Sequence, residues 1–195
     1  MKRLTLTLSA LFFLLASCLW PQTGLAQKTD FPVPKKYKLK KKEDYYRYEK
    51  DILATTEWLA NTYWGDKLSN KDLKQRQKAL LFIMEWGMGC PQVTINIYEN
   101  MLPSDEDEDI QLLVMYMAGW IQHALTHPDE EIEEAERATY AMEYVIRFYE
   151  KNRGEIGVSE SDFMDELVKT LEKGKLKDWV IRHMREYDDN APSRL

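Results

Sequence analysis

The chain has 195 residues, 44% hydrophobic and 31% charged, with 27 basic residues against 33 acidic ones and a formal net charge of −6. That length and apolar share suit one domain with its own core, and the acidic balance argues against general nucleic-acid binding. Two cysteines are too few for a disulfide framework, so the fold must rest on apolar packing.

Met1–Ala26 has a short basic start (Lys2, Arg3), an apolar run "LTLTLSALFFLLA" and a more polar end, which is the layout of a secretory signal peptide. The apolar run is too short and wrongly flanked for a membrane span. Two processing sites compete. "GLAQ" offers a cut after Ala26, and the "AQ" junction favours it; "LASC" resembles a lipobox, in which Cys18 is lipidated and becomes the first residue. Under either cut the protein is exported, periplasmic or secreted, and Cys90 has no partner within the chain. Removing residues 1–26 takes two bases and no acid, so the net charge moves to −8.

Residues 27–42 follow as a basic, extended tether. "KTDFPVPKKYKLKKK" holds seven lysines and one acid, and its prolines and lysines disfavour packing. Lys35, Lys36, Lys38, Lys40, Lys41 and Lys42 are expected to touch an anionic envelope surface.

Residues 43–195 are expected to form an all-α, single-domain bundle of about seven helices around a central apolar helix at about 105–126, by hydrophobic periodicity. Tyr45, Tyr48, Ile52, Leu59 and Tyr63 fall near one face of the first helix. Ser69 with Asp72 three residues on reads as an N-cap, before a helix presenting Leu73, Gln77, Leu80 and Met84 and ended by Gly87 and Gly89. In "QVTINIYENML" the alternation of Val93, Ile95 and Ile97 suits a strand. Val93, Ile97 and Met101 suit a helix, and Pro91 at a first helical position decides for helix. Ser104 caps the next helix, which is apolar on every side from Leu112 to Ile121 and must be enclosed by the others, with Gly119 admitting a neighbouring backbone. Helices from Asp129 to about Lys151, from Ser159 to Gly174 and over "KLKDWVIRHMREY" complete the fold.

Few residues suggest chemistry. Cys90, at the start of the helix expected after "GMG", would face free N–H groups that favour a thiolate, and a thiol enzyme would also need His123 or His183 nearby. The same cysteine equally suits a small buried residue. His123 and His127, four apart, would share a helix face and supply two metal ligands, but Ala124 stands where a zinc-protease helix has glutamate, and Pro128 puts His127 in the last turn, where a histidine caps the helix. Asp105, Asp107 and Asp109 alternate as in a calcium loop, but Ile110 and Tyr116 occupy its glycine and glutamate positions. Met84, Met88, Cys90, Met115 and Met117 could offer soft sulfur ligands, a spacing that also describes core filling. No nucleophile elbow, phosphate loop or converging carboxylate pair stands out, so no cofactor is expected.

"CPQVTI", an "LP" break and "AGWIQHAL" resemble the small helical immunity proteins that bind type VI amidase toxins in the periplasm, over about residues 86–125. Those proteins carry paired cysteines, and the second is missing here. The resemblance implies a helical fold and a protein partner. Two functions are therefore expected: a non-catalytic helical envelope protein that binds a partner, with immunity-like inhibition as one version, or a small envelope thiol enzyme or hydrolase using Cys90.

Overall fold

The computed structural model describes residues 30–65, 67–103, 109–128, 132–155 and 157–189. The signal peptide, Cys18, the Ser104 cap, Asp105 and Asp107 lie outside the described residues. Seven α-helices follow in order: α1 (Lys42–Arg47), α2 (Glu49–Asn61), α3 (Asn70–Gly89), α4 (Asp109–Thr126), α5 (Glu134–Asn152), α6 (Asp162–Glu172) and α7 (Leu176–Asp189). Among the described residues there is no sheet, and the all-α bundle is what the sequence leads one to expect.

The centre is α4. Every residue from Val114 to Ile121 is buried, so over these two turns the helix has no solvent face. It packs most extensively on α5 and also meets α2 and α3. Gly119 makes the α5 contact close: a Cβ there would stand 2.7 Å from the Ala141 Cα and 2.8 Å from the Tyr144 Cβ. Trp64, Phe82, Trp86, Phe148 and Tyr149 fill the space around it, each at most 1% exposed.

Local chemistry sets the helix ends. The Ser69 hydroxyl accepts from the Asp72 N–H at 3.2 Å, and the Asp72 carboxylate accepts from the Ser69 N–H at 3.0 Å, the reciprocal cap expected from the sequence. Before α6 the cap is Ser161, not Ser159: its hydroxyl accepts from the Met164 N–H. Gly174, at φ 66°, turns the chain between α6 and α7, where a side chain would be strained. Asn152, fully buried, holds the loop after α2 to α5: it accepts from the Trp64 N–H at 2.8 Å and donates to the Phe148 carbonyl at 3.0 Å.

Four further expectations of the fold need correction. The first helix breaks at Tyr48 into α1 and α2, and Tyr63 is 58% exposed instead of facing the core. Helix α3 runs through Gly87 to Gly89 and buries Ala79, Phe82, Ile83 and Trp86, whereas Gln77 is exposed. Gly87 sits inside the packing, where a Cβ would lie 3.0 Å from the Ile121 side chain and 3.1 Å from that of Ile95.

The third correction is the segment after α3. Residues 93–98 form neither helix nor strand, and only Glu99–Met101 make a single 3₁₀ turn. The cause lies in α4: buried Trp120 and Tyr116 need acceptors for their polar tips. The Trp120 Nε1–H donates to the Thr94 carbonyl at 2.8 Å and the Tyr116 hydroxyl to the Asn96 carbonyl at 3.1 Å. A helix would use those carbonyls internally and strand both donors.

The fourth is the tether. Within the described residues, 30–41 form no helix, yet the segment is docked and not free. Val33 is 7% exposed; Phe31 meets Trp58 edge-on at 5.2 Å; Tyr37 lies on Phe82 at 4.7 Å and its hydroxyl donates to Glu85 at 2.7 Å. Lysine density concealed the alternation that matters: Tyr37 and Leu39 turn inwards, and Lys36, Lys38 and Lys40 turn to solvent. Charge disfavours packing only for the face that carries it.

Candidate functional site

Cys90 closes α3 instead of opening a helix. Its backbone is extended and its N–H donates to the Trp86 carbonyl at 2.9 Å. The side chain is buried, and burial pushes the thiol above its ordinary value, with the backbone N–H groups of Gln92 and Val93 pulling the other way and Glu49 adding to the rise. The dipole argument thus reverses: the sulfur stands at the negative end of α3, not at the positive end of a helix behind it. His183 stacks on Trp179 at 3.7 Å, with Nδ1 2.8 Å from the Trp179 carbonyl. The His123 ring lies between those of His127 and Tyr140.

His123 and His127 do share a face. Their rings stack at 4.6 Å and 24°. Ligand lone pairs lie in the ring plane, so stacked rings send them side by side and not onto one ion. His127 Nδ1 sits 3.1 Å from the His123 carbonyl, which makes it a cap on the last turn of α4. Among the described residues, no group of three or more His, Cys, Asp or Glu is placed to hold a metal.

Beside His123 lies a shallow cavity of about 430 Å³, lined in part by Glu136, Tyr140, Glu143, Leu171 and Lys177. Lys177 reaches Glu136 at 3.7 Å. Burial raises the Glu143 carboxyl, and Arg147 opposes the rise.

A second cavity, about 380 Å³, is lined by Phe31, Asn70, Lys71, Lys74, Gln75 and Lys78. Three lysines and no acid make it the basic counterpart of the first. The sequence reading missed Lys71, Lys74 and Lys78 because it followed the apolar stripe of α3. Their spacing of three and four was the available signal, since it puts them on one helix face.

The exposed large apolar side chains include Met88 at 77% and Ile97 at 38%. Met88 follows Gly87, against which Ile95 rests, so segment 93–98 and the end of α3 border one another. Thr94 and Asn96 are also exposed, while Trp120 and Tyr116 grip the same segment by its carbonyls.

No protein-family model, curated protein or solved structure matches this chain. No helix among the described residues is long and apolar enough to cross a membrane.

Proposed function

We propose that the chain is a non-catalytic helical protein of the cell envelope that acts by binding a protein partner, with inhibition of an envelope enzyme as one version. The observation that carries the reading is the bare surface at the end of α3: Met88 on the helix and Thr94 and Ile97 on segment 93–98 face solvent, and two hydrogen bonds from buried aromatics fix the backbone of that segment. A segment whose backbone is already held in place loses little conformational freedom on binding. This surface falls within residues 86–125, the stretch that resembles amidase immunity proteins. The raised thiol of buried Cys90 supports a binding protein over a thiol enzyme.

Binding of the parent chain and of the Met88→Asp/Ile97→Asp double variant to envelope extract of the source cell tests the reading. The expected result is a partner held by the parent and weakened about tenfold or more in the variant, as for two interface anchors, with an unchanged melting temperature. Equal capture by both chains, or no partner for the parent, overturns it.

A further inference from the structure

The docked segment 30–41 and the lysines of α3 form one basic surface. Phe31 borders Lys71, Lys74 and Lys78, while Tyr37 lies on Phe82 and bonds Glu85, so the segment runs along α3 in the same direction as the helix. Lys35 and Lys36 fall between these two anchors. Lys35, Lys36, Lys38, Lys40, Lys41, Lys42, Lys71, Lys74 and Lys78 are all exposed. Among the described residues, no salt bridge takes any of the nine. Of the nearby acids, Asp44 accepts from the backbone N–H groups of Lys40 and Lys41 and pairs with Arg47, Glu85 accepts from Tyr37, and Asp72 caps α3; exposed Asp30 and Glu43 remain beside the patch, two charges against nine. In a chain of net charge −6 this is a segregated patch, and docking holds its lysines in a fixed pattern instead of on a loose tether.

We infer that this surface, with the Lys71–Lys74–Lys78 cavity at one end, docks on an anionic phospholipid bilayer. Nine lysines spread over an extended segment and a helix exceed what a single small anion can contact. The cavity adds Phe31, a half-buried aromatic at its edge, and aromatic side chains suit the headgroup boundary. Each lysine held near an anionic leaflet strengthens binding about fivefold, and salt screens the effect. The inference is independent of the protein–protein surface at the end of α3.

The test uses the chain from Gln27, because the buried residues of the described core run from Val33 to Val180 and none is removed. It is mixed with phosphatidylglycerol-containing vesicles and with neutral phosphatidylcholine vesicles. The expected result is sedimentation with the anionic vesicles only, release by high salt, and binding weakened about tenfold or more in Lys71→Gln/Lys74→Gln/Lys78→Gln at an unchanged melting temperature. If that variant melts early, Lys35→Gln/Lys36→Gln/Lys38→Gln carries the same expectation. No binding by the parent, equal binding to neutral vesicles, or parent-like binding by a folded variant overturns the inference. Thermal protection by inorganic phosphate without vesicle binding also overturns it, in favour of a small-anion site.

Discussion

Cys90 illustrates how one side chain's meaning depends on which end of a helix it occupies. Composition alone places "GMGCPQ" at a junction, and the junction is there; its direction was not legible, because it is set by Trp120 and Tyr116, which bond the Thr94 and Asn96 carbonyls 26 and 20 residues before them. The consequence is measurable. The backbone N–H groups of Gln92 and Val93 act on the thiol against the rise caused by burial, and a serine hydroxyl is the better acceptor for them. Cys90→Ser should therefore cost less than about 1 kcal/mol in a denaturant melt, and Cys90→Ala about 1–2 kcal/mol, since alanine removes the acceptor and leaves a small void. In the folded parent a thiol reagent should react slowly at neutral pH and much faster once denaturant is added. Fast labelling of the native chain would contradict the burial described.

At the level of elements, what could be read was what periodicity and capping encode locally. The Ser69–Asp72 cap, the enclosed apolar run in α4 and the Gly174 stop all follow from short spacings. What local spacing cannot carry depends on distant partners: Pro91 and the spacing of Val93, Ile97 and Met101 point to a helix, yet the partners of segment 93–98 are side chains of α4. The helix α4 gives the sharpest test. Gly119→Ala inserts one methyl group where the Ala141 Cα would stand 2.7 Å away, and backbone cannot rotate aside as a side chain can. The helix preference of alanine over glycine, about 1 kcal/mol, acts in the opposite sense. Overpacking should win, with a net loss of about 1–3 kcal/mol in thermal or urea unfolding and a larger loss for Gly119→Leu. A stabilised Gly119→Ala would mean that α4 and α5 stand further apart than described.

At the scale of the whole molecule the docked segment joins the core, so a chain beginning at Glu43 should melt lower than one beginning at Gln27, by about 3 kcal/mol or more for the lost burial of Val33 and part of Phe31 and Tyr37. An unchanged melt would restore the free tether. Alkali probes the same packing. Tyr37 is pushed up to about 12, first by burial and then by Glu85; burial also raises Tyr98, Tyr116, Tyr144 and Tyr149. These groups stay protonated in the fold after the unfolded chain has begun to lose its protons, so their contribution is complete below pH about 10 and falls as pH rises towards the folded values. Arg76, lowered to about 10 by burial, opposes this as one group against five. Stability should thus decline steeply above pH about 10, with the phenolate absorbance of the five buried tyrosines rising only as the protein unfolds; a urea midpoint that does not move between neutral pH and alkali would contradict the packing described. The docked segment also sets an order in time. It is synthesised first, yet Tyr37 must wait for Glu85, 48 residues later, before it has a seat. Until then Phe31, Val33, Tyr37 and Leu39 are bare on a nascent chain, and the lysines spaced among them act as gatekeepers that keep such chains from adhering to one another.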